Sequence, residues 1–161
     1  MKLVRSTKTR LHFHLGQRET RLLLQILRLY PRVPPAHQQL TRSGQLPDRE
    51  ANQRLLDEAL AEQRAENRKQ LLALLADPRR FARIETGSRL SLPSGEVEWL
   101  LQVLNDIRVG SWVLLGAPEE KLPELNETSA PDFVAMEMAG YFQMHLLEAL
   151  HKETGDGRQG A

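Results

Sequence analysis

The chain contains no cysteine, so disulfides, thiolate metal sites and cysteine nucleophiles are excluded and chemistry falls to other groups. The densest polar cluster in apolar surroundings is Asn105-Asp106-x-Arg108, at the end of Trp99-Leu100-Leu101-Gln102-Val103-Leu104-Asn105-Asp106-Ile107-Arg108. An arginine so placed could anchor a carboxylate or a phosphate through its fork of donors. On a helical wheel Trp99, Leu100, Val103, Leu104, Ile107 and Leu114 form one apolar face, while Leu101, Val109, Trp112 and Val113 occupy the other side. A helix apolar nearly all round is a buried helix. Asn105 and Arg108 are therefore expected to be mostly buried, and a buried polar group left unpaired costs about 1–3 kcal/mol. Asn105 and Arg108 share a side and Asp106 projects almost oppositely, so each needs a partner from elsewhere. Gln143, Glu137 and Tyr141 are the candidates. The plainer alternative to an anion or partner site at Asn105, Asp106, Arg108 and Gln143 is a polar network that fixes helix register.

Two histidine arrangements have weaker claims. His12 and His14 alternate with Leu11, Phe13 and Leu15, so both imidazoles point to one side of a strand. They could flank a metal, but no carboxylate lies nearby in sequence, and an exposed strand face accounts for them. Glu137, Tyr141, His145 and Glu148 align on one side of a helix, which reads as a solvated or interfacial face. GxSxG, GxxxxGK, GxGxxG and HExxH are all missing. No catalytic residue, metal or cofactor is expected, and the chain reads as non-enzymatic.

The elements that position these groups follow from periodicity and breakers. Residues 2–5 and 9–15 read as strands, and Gly16 ends the second. From Gln17 to about Tyr30 the period is helical, and Pro31, Pro34 and Pro35 end that helix. Residues 36–47 read as a loop. Asp48 is a fitting N-cap for a long helix to Ala76. The middle of that helix, around Glu62 to Gln70, is polar nearly all round. Pairs of Glu62 and Glu66 with Arg64 and Arg68 could hold it in solvent, or it could face a partner. Short strand signals surround Ile84 and then Leu90 and Leu92, split at Thr86-Gly87-Ser88. Ser94 is expected to cap a helix from about Gly95 to Leu115, and Ser129 with Asp132 resembles a capping box for a last helix to about His151. Residues 1–152 then form a single globular domain, and 153–161 a flexible C-terminal tail. The expected fold is mainly α, of the α+β kind: a four-helix core with a small antiparallel β-sheet.

An internal repeat supports a pseudo-twofold β-α-α duplication. Phe13–Leu27 overlays Leu90–Leu104 without a gap. Leu15 and Leu92, Glu19 and Glu96, Leu23 and Leu100, Leu24 and Leu101, Gln25 and Gln102, and Leu27 and Leu104 are then identical pairs. Both copies read strand, breaker, acidic first turn, apolar helix. The two glutamates suit helix N-termini.

Charge is uneven along the chain. The net charge is +1, but residues 1–42 hold nine Lys and Arg against Glu19 alone. Arg5, Lys8, Arg10, Arg18 and Arg21 in that segment could meet nucleic-acid phosphates, or simply face the acidic remainder of the chain. No helix-turn-helix signature stands out, and few aromatics interleave the basic residues. No apolar run reaches the about 20 residues a membrane helix needs, and no signal-peptide pattern opens the chain, so a cytoplasmic, membrane-free protein is expected.

Trp99-Leu100-x-x-x-Leu104-Asn105-Asp106-x-Arg108, followed by Tyr141-x-Gln143-x-x-Leu146-x-x-Ala149-Leu150, resembles a bacterial family best described from actinobacteria, domain-of-unknown-function family twenty-seventeen. The resemblance covers roughly residues 10–150. Its members are often encoded beside the adaptor that hands substrates to the Clp protease, which implies a link to regulated proteolysis. Some carry the label of transcriptional regulator. Members tend to continue the motif with a Leu-Gly-Thr-Arg-like segment, whereas this chain has Val109-Gly110-Ser111-Trp112, so a second family arginine is missing. The expected function is a non-enzymatic cytoplasmic interaction protein with a protein partner, tied to Clp-dependent proteolysis. The alternative is a nucleic-acid-binding regulator using the basic N-terminal segment. A homodimer stays open.

Overall fold

The computed structural model describes residues 1–34 and 48–156. The loop expected at 36–47 and the end of the tail, 157–161, lie outside them. The elements are β1 (Lys2–Ser6), β2 (Leu11–Gly16), α1 (Gln17–Leu27), α2 (Arg49–Ala76), β3 (Phe81–Ile84), β4 (Gly87–Leu92), α3 (Ser94–Leu114) and α4 (Ala130–Asp156). Among the described residues the fold is α+β, with four helices and one four-stranded antiparallel sheet of order β1-β2-β4-β3. Helix α4 continues through the start of the expected tail, where Glu153 accepts the Ser94 hydroxyl at 2.9 Å.

Alternation decides which way the sheet faces. Leu11, Phe13 and Leu15 of β2 and Leu90 and Leu92 of β4 are fully buried. They pack against Leu23, Ile26 and Leu27 of α1, Leu100, Leu104 and Ile107 of α3, and Phe142 and Leu146 of α4. Ala135, Ala139 and Ala149 keep the α4 face narrow where it meets this core. All helical packing is on this inner face.

The two repeats meet at the centre of the sheet. Leu11 pairs with Leu92, Phe13 with Leu90 and Leu15 with Ser88. The repeat alignment carries Leu11 to Ser88, Phe13 to Leu90 and Leu15 to Leu92. Phe13 therefore pairs with its own counterpart, and a local twofold axis passes between them, normal to the sheet. It relates β1-β2-α1 to β3-β4-α3, with β1 offset by one residue at the bulge between Leu3 and Arg5, so the duplicated unit is a hairpin followed by one helix.

The symmetry ends at the second helix. The α4 core residues Ala135, Ala139, Phe142, Leu146 and Ala149 correspond to Glu58, Glu62, Ala65, Lys69 and Leu72 of α2, which cannot form an apolar seam. Instead α2 grips the segment after α1. Arg64 and Arg68 donate to the carbonyls of Val33 and Tyr30, each at 2.7 Å, and Asn67 donates to the Tyr30 hydroxyl at 2.9 Å. Thus the polar middle of α2 is spent on chain carbonyls rather than on the expected pairs with Glu62 and Glu66.

Three expected caps differ. Asp48 precedes α2 in a left-handed conformation (φ 60°), not the extended one a cap adopts, and its side chain makes no capping bond. Pro93 takes the cap position of α3 and Ser94 lies inside the helix. At α4 the Ser129 hydroxyl accepts the Asn126 N–H at 2.9 Å, and Asp132 turns to Arg32 in an ion pair. The two glutamates also diverge. Glu19 accepts the Gly16 N–H at 3.0 Å, but the counterpart of Gly16 is Pro93, which has no N–H, and Glu96 faces Arg80 at 3.5 Å.

Candidate anion-binding site

Opposite the helices, the outer face of the sheet is uncovered by any described element. Cross-strand register sets its composition. His14 stands between Lys2 and Arg89, and His12 between Arg5 and Ser91. Both histidines occupy the half-exposed positions of β2, and Lys2, Arg5 and Arg89 are exposed. Arg10, at the end of the β1–β2 turn, lies over Ser91, donating to its carbonyl at 2.7 Å and to its hydroxyl at 3.1 Å. Val4, Arg5, His12, Arg79, Arg89 and Ser91 surround a depression of about 320 Å³. Among the described residues no carboxylate lines it; Asp77 pairs with the lining Arg79 at 3.3 Å and with Arg80 at 3.2 Å. His14 bonds the Thr86 hydroxyl at 2.9 Å.

The field of this face registers on one side chain. The His12 imidazole is held below its ordinary pKa, first by burial and then by the guanidinium groups of Arg5, Arg10 and Arg89. Burial would penalise a charge of either sign, whereas the guanidinium contributions reflect a positive potential that attracts anions.

Of the basic residues singled out in the sequence, Arg5 and Arg10 belong to this face and Lys8 lies exposed in the β1–β2 turn. Arg18 and Arg21 lie on α1, across the sheet. Sequence reasoning missed Arg79 and Arg89, which come from the second half of the chain. The signal for Arg89 was present: it alternates with buried Ser88 and Leu90 and is the repeat counterpart of His12.

The Asn105, Asp106, Arg108 and Gln143 cluster does not assemble as one site. Arg108 and Asn105 are exposed, not buried, and bond only one another at 3.2 Å among described residues. Their side of α3 is left open because α4 passes with Gly140 at that level: a Cβ there would lie 3.8 Å from the Arg108 Cδ. Gln143 shares this groove and donates to the Leu101 carbonyl at 3.4 Å. Asp106 points the other way and accepts the backbone N–H of Arg32 at 2.6 Å and of Val33 at 3.3 Å. Tyr141, expected as a partner for this cluster, instead donates to Glu19 at 2.6 Å. Its ring meets His145 edge-on at 4.5 Å. Among the described residues no helix is long and apolar enough to cross a membrane.

No family model, curated protein or solved structure matches the chain.

Proposed function

We propose that this chain is a non-catalytic interaction protein that holds an anionic macromolecule against the outer face of its sheet. The observation that carries the reading is the convergence of Arg5, Arg79, Arg89 and His12 on one depression with no carboxylate in its lining. These groups come from both halves of the chain, so folding concentrates a charge that is dispersed in sequence. Their chemistry is attraction and hydrogen bonding to oxyanions. The resemblance to domain-of-unknown-function family twenty-seventeen supports a regulatory, cytoplasmic setting beside Clp-dependent proteolysis. The test is titration of the labelled chain with polyglutamate and with inorganic polyphosphate at about 0.05 M salt, where surface electrostatics is least screened. At least one should bind, and Arg5→Glu with Arg89→Glu should abolish it while Arg18→Glu leaves it intact. No binding of either polyanion, or loss through Arg18→Glu alone, refutes the reading.

A further inference from the structure

We infer that the anion this face receives is a phosphomonoester group, seated in the depression over Ser91, with the Ser91 hydroxyl donating to it and Arg5, Arg10 and Arg89 neutralising it. This rests on the reading above and names the chemistry of the anion. The observation that singles it out is the serine. Ser91 is only 5% exposed, yet it lines the depression. Its hydroxyl oxygen accepts the Arg10 Nε–H at 3.1 Å, and among the described residues no acceptor takes its own proton. A buried donor without an acceptor is costly. An oxyanion brought into the depression supplies the missing acceptor.

The donor is held in place before any ligand arrives. Arg10 also donates to the Ser91 carbonyl at 2.7 Å. Its own backbone closes the β1–β2 turn, with its N–H on the Thr7 hydroxyl at 3.0 Å and its carbonyl accepting the Thr7 N–H at 2.8 Å. A preformed arrangement of this kind lowers the ordering cost of binding.

Charge decides which oxyanion fits. Arg79 and Arg80 are matched by Asp77 and Glu96 in a compensated chain of ion pairs. Arg5, Arg10 and Arg89 have no carboxylate partner among the described residues. A carboxylate, a sulfate ester or a phosphodiester brings a single negative charge. A phosphomonoester brings about −1.5 to −2 at pH 7, on three acceptor oxygens. Those oxygens suit one serine hydroxyl and the planar donor forks of Arg5 and Arg89. His12 makes no hydrogen bond among the described residues, and its neutral ring has one N–H to add. Val4, exposed at the bulge of edge strand β1, forms an apolar side of the depression for the carbon chain that bears the phosphate. A phosphorylated residue of a protein and a phosphorylated small molecule both present this chemistry.

The test is calorimetric titration of the full chain at about 0.05 M salt, beside the two polyanions. The probes are a short peptide with a central phosphoserine, the same peptide with sulfoserine or glutamate in its place, and glycerol phosphate. The phosphoserine peptide should bind about 10- to 100-fold more tightly than the sulfoserine and glutamate peptides, the worth of one charge-assisted hydrogen bond. Ser91→Ala should shrink that preference, and Arg5→Ala and Arg89→Ala should each weaken phosphoserine binding, while Arg18→Ala leaves it unchanged. Thermal melts of each variant establish that it is folded. Glycerol phosphate binding as tightly as the phosphopeptide assigns the group to a small molecule; tighter binding of the phosphopeptide assigns it to a protein. If sulfoserine or glutamate binds as tightly as phosphoserine, or if the folded Ser91→Ala protein keeps the full preference, the phosphomonoester inference fails, and polyanion binding leaves the broader reading standing. If neither the peptides nor the polyanions bind, both fail.

Discussion

Asp106 accepts the backbone N–H of Arg32 at 2.6 Å, and one turn later on the same helix a Cβ at Gly110 would stand 2.5 Å from the Arg32 carbonyl carbon. The two residues fix the segment after α1 onto α3, one by charge-assisted bonding and one by leaving room. Asp106→Ala strands two partly buried N–H groups and should destabilise the fold by about 1–3 kcal/mol. Gly110→Ala places a methyl against backbone, which cannot rotate aside as a side chain can. It should cost about 1–3 kcal/mol, although alanine is ordinarily the better helix former. Denaturant unfolding of both variants checks this; a Gly110→Ala protein as stable as the parent would show that the approach is looser than described.

Arg108 should behave in the opposite way. Its guanidinium is exposed and bonds Asn105 alone among described residues, so Arg108→Met should change stability by no more than about 0.5 kcal/mol. Within one motif, then, Asp106 should be sensitive and Arg108 insensitive in parallel melts. A large loss at Arg108 would restore the buried network that the apolar wheel of this helix suggests.

That wheel shows where the sequence was legible and where it was not. Strand alternation at Leu11, Phe13 and Leu15, and the breaker at Gly16, report local backbone preference, and the elements follow them. The repeat was readable because its matches fall on core positions, Leu15 with Leu92 and Leu23 with Leu100, which the fold buries. Burial at Arg108 depends on what passes over it, and Gly140 belongs to a different helix, far along the chain. The basic face was half visible: the N-terminal charge excess marks Arg5 and Arg10, but their neighbours Arg79 and Arg89 arrive only through the β2–β4 register.

pH provides a probe of that face. His12 is depressed from 6.5 by burial and by Arg5, Arg10 and Arg89; Arg79 lines the same depression, and the Lys2–His14 pair is the next on that face. The unfolded chain takes up this proton as pH falls below about 6.5, while the folded chain resists it. The contribution of His12 to stability is therefore fully present above that pH and declines as pH drops toward the folded pKa. Arg89→Ala should raise the His12 pKa and flatten that decline, as read by NMR titration of the imidazole. A bound polyanion should also raise it, so anion binding should take up a proton and strengthen from pH 7 toward pH 5. A His12 pKa unmoved by Arg89→Ala would remove the electrostatic account of the face.

The last expectation concerns α2, which lacks the apolar seam that holds α4. Its buried residues are Asn67, Leu71 and Leu74, all in the second half of the helix. Asn67 is the joint: it accepts the Trp99 indole N–H at 3.1 Å and donates to the Tyr30 hydroxyl at 2.9 Å, joining α3 to the segment after α1 through one amide. Residues 49–63 contain no buried side chain, and this joint with the Arg64 and Arg68 bonds beside it is the buried attachment nearest to them. Asn67→Ala leaves the indole N–H and the phenol without partners and should cost about 1–3 kcal/mol. Its more telling effect should be local. Backbone amides of the first half of α2 should exchange with solvent faster in the variant, while those of β2 and β4 change only by the global loss of stability. Tyr30→Phe removes one of the two bonds and should give a smaller effect with the same pattern. Uniform acceleration across the chain in both variants would mean that α2 unfolds with the core and that Asn67 is one more buried contact.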